Sequence, residues 1–356
     1  MTGIHSLVAR QDNLGDVLLA GPSIRAVASA SERVTLLVGP RGRAAAELLP
    51  QVDDIIEWEA PWIDPEPTWP GADAVLDVVS ALRRRRIDRA VILTSFHQSP
   101  LPTALLLRMA GVPWLAAISD DYPGALLNVR HRLVDDVPEA ERALSLARRA
   151  GYTLPAGDDG RLRLRSALPD VADLVGTHPY VVVHPGASAP ARTASPAWWT
   201  GVVRGLVQRG RRVIVTGSID EARLTRAVAS GAALDLGGRT TLGQLAAVLR
   251  TAAVTVAPNT GAAHLSAAVG TPVVSVFAPV VPARRWSPYG IDTIVLGDQH
   301  APCRGSRARE CSLAERPCLD MIDPDHVCSA VAELAAPRRA RNCAPLRLES
   351  PGGGNL

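Results

Sequence analysis

The chain contains no lysine. All 38 of its basic residues are arginine, in a sequence of 356 residues. Schiff-base chemistry and the Walker-type phosphate loop both depend on a lysine, so both are excluded. A basic side chain that contacts phosphate must therefore be arginine, whose guanidinium binds two oxygens at once, or histidine.

Long apolar segments are also missing. No apolar run reaches the ~18 residues of a membrane-spanning helix, and residues 1–3 lead directly into a short strand instead of a signal peptide. We therefore expect a cytoplasmic protein without stable membrane insertion. If its substrate is linked to a lipid, the protein would act at the inner face of the membrane. The net charge of +3, without a basic stripe that carries aromatics, argues against nucleic-acid binding.

The five cysteines do not form a recognisable pattern. They are odd in number and all follow residue 300, which does not fit a secreted disulfide framework. Cys303, Cys311, Cys318 and Cys328 include no Cys-x-x-Cys pair. Reduced thiols in a compact loop are favoured over the alternative, a zinc site, so we expect no bound metal.

The length and the alternation of short apolar strands with helical segments predict two α/β domains. Such domains have doubly wound parallel sheets that bind ligands at the carboxyl ends of their strands. We expect Rossmann-like domains over residues 1–170 and 176–335 that face each other across a cleft, and a disordered tail over 336–356. No Gly-x-Gly-x-x-Gly motif follows the first strand, which argues against a nicotinamide or flavin cofactor, and we expect none.

Residues 254–277 read as a strand, a turn of small residues, a helix and a second strand. Thr260, which follows Asn259, can cap the helix that Gly261 opens. The unpaired N–H groups and the positive end of the helix dipole suit a diphosphate, and His264 lies one turn further along. The alternative is an ordinary strand-to-helix turn of a parallel sheet.

Two more strand ends of the second half carry small polar residues. Amide groups in these turns, together with one arginine, suit a phosphate, whereas the alternative is a satisfied loop histidine beside a surface arginine. Because strand ends of a parallel sheet meet at one edge, their convergence predicts a nucleotide-diphosphate site. The candidates are His184, Gly186, Ser188 and Arg192 after the first strand, and Thr216 and Gly217 after the second.

The first turn between strand and helix supplies a candidate catalytic base. Gly15 permits a close approach, and Asp16 falls at the start of a helix, where the dipole favours an ionised carboxylate. Such a carboxylate can accept a proton from a hydroxyl nucleophile, whereas the alternative is a residue that only caps the helix. Candidates for contact with a hydroxyl-rich acceptor are Asn13, Gly15, His97, Gln98 and Asp120, although surface loops without function are equally compatible with the last three.

Together these motifs resemble glycosyltransferase family 9, the heptosyltransferase family that includes the ADP-heptose:lipopolysaccharide heptosyltransferases. The resemblance extends over about residues 4–335 with the motifs in the same order. Its segments are 14–16, 96–99, 110–113, 184–188, 235–242, 259–265, 277–279 and 286–288.

The resemblance implies a GT-B fold and metal-independent sugar transfer with inversion. It places the catalytic base on Asp16, the donor in the second domain, and the pyrophosphate against Thr260 and Gly261. ADP-heptose is the implied donor, in a reaction of the lipopolysaccharide-biosynthesis type. The acceptor is a hydroxyl of a glycan, a lipid-linked glycan or a small molecule.

Two positions depart from the family pattern. The family usually has aspartate where this chain has Asn259, and lysine is common where Arg192 falls. Arginine still holds a phosphate, but Asn259 carries no charge, so its contact with the donor sugar or ribose changes. Two alternatives stay open: a nucleotide-sugar epimerase or hydrolase on the same fold, and a sugar-nucleotide-binding protein without catalysis. Asp16 argues against a protein without catalysis, whereas Asn259 argues for one.

Overall fold

A computed structural model describes residues 3–64, 66–133, 135–313, 315–336 and 347–349. The chain divides into two compact units, Met1–Arg165 and Ser166–Leu356. Each unit contains one parallel β-sheet with helices between successive strands, so the predicted α/β class is confirmed. No helix within the described ranges is both long and apolar enough to span a membrane.

The first unit holds a six-stranded sheet. Its strands are β1 (His5–Ala9), β2 (Arg33–Val38), β3 (Asp54–Glu57), β4 (Arg89–Ile92), β5 (Trp114–Ile118) and β6 (Val129–His131). Its helices are α1 (Leu14–Leu19), α2 (Gly21–Ala28), α3 (Arg43–Leu48), α4 (Ala72–Arg84), α5 (Leu101–Met109) and α6 (Glu139–Arg149). The strand order β3-β2-β1-β4-β5-β6 reverses direction between β1 and β4, and ligands of doubly wound sheets bind outside the carboxyl ends at such a point.

The second unit repeats this plan. Its strands are β7 (Val181–Val183), β8 (Val213–Val215), β9 (Leu234–Asp235), β10 (Val254–Pro258), β11 (Val273–Val276), β12 (Thr293–Leu296) and β13 (Arg347–Glu349). Its helices are α7 (Ala172–Val175), α8 (Pro196–Gln208), α9 (Ala222–Ala229), α10 (Leu242–Thr251), α11 (Gly261–Val269), α12 (Ala283–Trp286), α13 (Pro317–Asp320) and α14 (Pro324–Ala335). The order β13-β12-β11-β10-β7-β8-β9 puts the switch point between β7 and β10.

The central strands are apolar without alternation because helices cover both faces of each sheet. All three residues of β7 are valines, and all three are buried. In α8 the adjacent Trp198 and Trp199 are both buried, with their rings 5.0 Å apart and nearly perpendicular. Their indole N–H groups donate to Ile322 O at 2.6 Å and Thr193 Oγ1 at 2.9 Å. These bonds fix α8 to the loop before it and to the turn before α14.

Helix α2 has no clear pattern in the sequence, and part of the tail departs from the sequence-based expectation. Only Ala20 separates α1 from α2, and α2 is almost wholly buried, so it lacks the polar stripe that reveals a surface helix. Within the region predicted to be a disordered tail, residues 347–349 instead form β13, which pairs in parallel with β12. The tail residues 337–346 and 350–356 lie outside the described part of the chain.

An ion pair fastens the segment after α6 to α2. Arg25 in α2 donates from Nε and Nη2 to the two carboxylate oxygens of Asp158, at 2.7 and 2.9 Å. Both side chains are buried, and Arg25 also donates to Arg161 O at 2.8 Å. The hydrogen bond from Arg25 lowers the pKa of Asp158 to about 2.

Candidate active site

Asp16, the candidate base, lies in the first turn of α1 and makes two contacts. Its Oδ1 accepts a hydrogen bond from Arg10 Nη2 at 3.0 Å, and its Oδ2 accepts one from the backbone N–H of Asn13 at 3.2 Å. The bond to the Asn13 amide is what a residue that only caps the helix would make. The ion pair with Arg10 is an additional contact that capping does not require. The Asp16 side chain keeps 13% of its surface exposed.

Arg10 directly follows β1 and is buried among carboxylates. Its Nε lies 2.9 Å from Asp12 Oδ2, and its Nη1 lies 3.9 Å from Glu139 Oε2 at the start of α6. Burial alone would lower the pKa of Arg10, but the neighbouring carboxylates raise it above the usual value. Burial raises the pKa of Asp12, against the opposing effect of Arg10. Sequence patterns alone do not reveal Arg10, Asp12 or Glu139 as parts of this site.

The loop after β4 is attached to the same turn through Gln98. Its Nε2 donates to Asp12 Oδ1 at 2.6 Å, and its Oε1 accepts from the Ser95 amide at 2.9 Å. The amide of Gln98, a predicted acceptor contact, is therefore engaged within the protein. His97 next to it is exposed, with its ring edge-on to Phe96.

The remaining predicted acceptor contacts differ in exposure. Asn13 is exposed at the start of α1, whereas Gly15 is buried within the helix. Asp120 is exposed two residues beyond β5, and its backbone carbonyl accepts from Arg130. Because the order of neighbouring strands is β1-β4-β5, these residues lie along one edge of the sheet, with Asp120 furthest from Asp16.

Three predicted strand ends of the second unit meet at one edge. The strands β10, β7 and β8 are neighbours, and they are followed by Asn259, His184 and Thr216 respectively. His184 Nδ1 lies 3.0 Å from Thr216 Oγ1, and both residues are buried. The predicted convergence of His184, Thr216 and Asn259 at one edge is therefore present in the structure.

Glu221, at the start of α9, adds a carboxylate to this edge. Its Oε2 accepts from the Ser218 amide at 2.8 Å and lies 3.9 Å from His184 Nε2. Gly186 leaves the space that the carboxylate occupies, since a Cβ atom there would lie 1.9 Å from Glu221 Oε1. Sequence analysis missed Glu221; an acidic residue placed shortly after the small-residue end of β8 is the signal that could have revealed it.

The start of α11 is the candidate diphosphate site. Thr260 occupies the position that precedes the first turn, with extended backbone, but its side chain makes no hydrogen bond to the helix. Thr260 is therefore the N-cap residue of α11, as predicted, but its hydroxyl does not make the expected capping hydrogen bond. Gly261 is the first residue of α11 and is partly exposed. Asn259, which directly follows β10, is buried.

His264 lies one turn into α11 and is buried. Burial, with a smaller contribution from the nearby Arg192 charge, lowers the pKa of His264 to about 4. Its Nδ1 has no hydrogen-bond partner among the described residues. Burial also lowers the pKa of His184, although the nearby Glu221 carboxylate acts to raise it. Both imidazoles are therefore neutral at pH 7, and Arg192 supplies the positive charge near α11.

Other predicted donor contacts also lie on this edge. Gly217 is buried after β8, and Ser188 is exposed in the loop after β7. Arg192 ends a short 3₁₀ turn in the same loop and is half-buried.

The cysteines are free thiols in the described part of the chain. Cys318 and Cys328 are buried, whereas Cys303 and Cys311 are half-buried against the core of the second unit. Burial, with the neighbouring Cys303 and Cys311, raises the pKa of Cys318 to about 12, so it is an unreactive thiol at pH 7. Within the described ranges, no group of three or more His, Cys, Asp or Glu side chains is arranged to hold a metal ion.

Comparisons with known proteins identify the family of this chain. Residues 75–316, more than half of the chain, match the model of glycosyltransferase family 9 (heptosyltransferase). The lipopolysaccharide heptosyltransferase 1 of Pseudomonas aeruginosa is 27% identical over 287 residues, which cover 73% of this chain and 78% of that protein.

Solved structures with the same fold come from Escherichia coli. The ADP-heptose lipopolysaccharide heptosyltransferase II is similar with a TM-score of 0.72 at 18% identity, over 93% of this chain and 98% of that one. Heptosyltransferase WaaC, solved with ADP, has a TM-score of 0.70 at 19% identity, over 93% and 100% of the two chains. These likenesses, with the two doubly wound sheets, confirm the expected GT-B fold.

Proposed function

Because the chain belongs to glycosyltransferase family 9, the heptosyltransferases, and is therefore a glycosyltransferase, we propose that it transfers heptose from ADP-heptose to an acceptor hydroxyl. The transfer inverts the anomeric carbon and needs no metal ion. The observation that carries this proposal is the meeting of the β7, β8 and β10 ends with the start of α11, beside Arg192.

The diphosphate of the donor binds at the start of α11. The unpaired N–H groups of a first helical turn and the positive end of its dipole attract an anion, and α11 is nine residues long. Arg192 balances the remaining charge, because its guanidinium can bind two phosphate oxygens. The neutral His264 supplies a hydrogen bond and no charge.

Glu221 binds the ribose of the nucleotide. In Rossmann-type units an acidic residue that follows the second strand accepts hydrogen bonds from ribose hydroxyls. Glu221 follows β8, the second strand of its unit, and its side chain is 23% exposed, so a ligand can reach the carboxylate. Asn259 lies on the neighbouring strand end, where its neutral amide contacts the donor sugar or the ribose.

Asp16 acts as the catalytic base. Its carboxylate takes the proton from the acceptor hydroxyl as that oxygen attacks the anomeric carbon. The bond from the anomeric carbon to the diphosphate oxygen breaks in the same displacement, so ADP leaves with the electron pair and the configuration inverts. The start of α11 and Arg192 stabilise the negative charge that grows on the leaving group.

The acceptor contacts the exposed Asn13, His97 and Asp120. The other two predicted contacts, Gly15, which is buried, and Gln98, whose amide bonds to Asp12 and Ser95, hold this surface in place. It is a glycan, a lipid-linked glycan or a small molecule that carries a free hydroxyl. The reaction takes place in the cytoplasm, and for a lipid-linked acceptor at the inner face of the membrane.

Release of ADP from ADP-heptose, measured with and without a panel of hydroxylated glycans and glycolipids, tests this proposal. Acceptor-dependent release supports a transferase. Turnover that ignores the acceptor would indicate an epimerase or hydrolase, and binding without turnover a non-catalytic protein; either would overturn the proposal. Arg192→Gln should weaken donor binding, whereas the control Arg211→Gln, at an exposed position, should not.

A further inference from the structure

One guanidinium in the first unit lies among three carboxylates. Arg10 is within 2.9 Å of Asp12, 3.0 Å of Asp16 and 3.9 Å of Glu139. The side chains of Arg10, Asp12 and Glu139 are 2%, 6% and 1% exposed, whereas that of Asp16 is 13% exposed. Of these four groups, Asp16 is thus the one that a substrate can reach most easily.

We propose that Arg10 is a positioning residue, which fixes the Asp16 carboxylate in one orientation while Asp12 and Glu139 hold Arg10 in place. This inference rests on the proposed function, because it assigns Asp16 the part of the base. Arg10 itself does not touch the substrate.

The contacts of Asp16 leave room for an acceptor hydroxyl. Arg10 occupies Oδ1, and the Asn13 amide binds Oδ2 at the longer distance of 3.2 Å. Each carboxylate oxygen has two lone pairs, so Oδ2 keeps one acceptor position for a further hydrogen bond. Two fixed contacts also remove the rotational freedom of the side chain, which a well-oriented base requires.

Arg10 is itself held from several sides. Its Nη2 also donates to Ser95 Oγ at 3.1 Å, and its Nε faces Asp12. Gln98 in turn donates to Asp12 and binds the Ser95 amide. The loop after β4 therefore positions the base indirectly, through Gln98, Asp12 and Arg10.

The charged groups that hold Arg10 come from several elements. Asp12 lies in the turn after β1, and Glu139 lies at the start of α6 with Arg142 beside it. Without Arg10, the carboxylates of Asp12, Asp16 and Glu139 would lose the cation between them, and the Asp16 side chain would lose its contact at Oδ1.

Variants of Arg10 test the proposal through the separate effects on kcat and KM. For Arg10→Gln we expect kcat to fall on the order of 10-fold to 100-fold, with the KM for ADP-heptose unchanged. Arg10→Lys keeps the charge but cannot contact Asp12 and Asp16 through a planar guanidinium, so its kcat should lie between those of Arg10→Gln and the wild type.

Arg25→Gln is the matched control, since it also removes a buried arginine from an ion pair with aspartate in the same unit. It should lower thermal stability and leave kcat unchanged. An Arg10→Gln protein that loses stability like the control but keeps a wild-type kcat would overturn the proposal. If Arg10→Gln does not fold, Arg10→Lys decides in its place, and a wild-type kcat in that variant would equally overturn the proposal.

A spectroscopic readout separates this proposal from the proposed function. Carbon-13 NMR of protein labelled at aspartate Cγ follows Asp16 without any turnover, and Asp16→Asn identifies its signal. At pH 7 that signal should broaden or split in Arg10→Gln, because the carboxylate then takes more than one orientation, even if no acceptor is found. A signal like that of the wild type contradicts the role of Arg10, whereas a changed signal in a protein without transfer activity contradicts only the proposed function.

Discussion

The carboxylate of Glu221 lies in the space above Gly186, where a Cβ atom would come within 1.9 Å of Oε1. The colliding atoms are at the end of the Glu221 side chain, so an alanine at position 186 would displace the carboxylate and leave the backbone in place. This relationship makes Gly186 a requirement for the position of Glu221 beside His184 and Ser218.

We therefore expect Gly186→Ala and Glu221→Gln to weaken ADP binding to a similar extent, on the order of 10-fold, which is the loss of about one charge-assisted hydrogen bond. Calorimetric titration with ADP measures both. Gly201→Ala is the control, because a Cβ atom there meets only Pro324 Cγ at 3.4 Å. Normal ADP affinity in Glu221→Gln would remove the carboxylate from the nucleotide site.

The Arg25–Asp158 ion pair should dominate the acid stability of the segment after α6. Removing one partner of a buried ion pair costs about 3–5 kcal/mol, so Asp158→Asn should lower the free energy of unfolding by that order. The exposed Asp159, paired with Arg163 at the surface, is the control, and Asp159→Asn should cost less than about 1 kcal/mol. Urea denaturation at pH 7 compares the two variants.

The same ion pair predicts the pH range over which the protein loses part of its stability. The folded-state pKa of Asp158, about 2, lies below its ordinary value of 3.8, so its contribution to stability is complete above pH 3.8. It disappears as the pH falls from 3.8 towards 2. Asp158→Asn should therefore be less stable than wild type at pH 5, and the difference should narrow below pH 3. A constant difference down to pH 2 would contradict the depressed pKa.

His264 predicts a second range, at higher pH, over which the stability of the protein changes. Its folded-state pKa of about 4 lies below the ordinary 6.5, so the unfolded chain binds the proton more readily. This contribution to stability is complete above pH 6.5 and is lost as the pH falls from 6.5 towards 4. His264→Gln should flatten the decline of thermal stability between pH 6.5 and 4.5. Equal declines in wild type and variant would show that His264 titrates normally.

Metal independence is a further expected outcome. Arg192 and the start of α11 balance the diphosphate in the proposed mechanism, so treatment with EDTA should leave the rate of ADP release unchanged. A protein inactivated by EDTA and restored by magnesium or manganese would contradict this prediction.

The sequence predicted the fold well where local patterns carry the information. The apolar residues of β7 and β10, and the small residues that follow them, identify buried strands, and the sheet topology brings their ends to one edge. The place of Asp16 at the start of a helix was also predictable, because a glycine and an acidic residue there have a local meaning.

The sequence did not predict the partners of these residues. Glu139 meets Arg10 only because α6 packs against α1 and α2, and in the sequence it reads as an ordinary acidic residue at a helix start. Glu221 similarly reads as a solvated residue in a polar turn, and Gly186 alone does not indicate which side chain it admits. Tertiary packing fixes both relationships, and no periodicity encodes them.

The most direct test of the account is the Asp16→Asn variant. Asparagine keeps the size of the side chain and a hydrogen-bond acceptor for the Asn13 amide, so we expect native folding and unchanged affinity for ADP-heptose. Loss of a general base costs on the order of 10²–10⁴ in rate, and the loss should appear in kcat alone. Asp77→Asn, exposed on α4, is the control and should keep full activity. Transfer by Asp16→Asn at a rate near wild type would contradict the account, and the exposed His97 would then be the next candidate for the base.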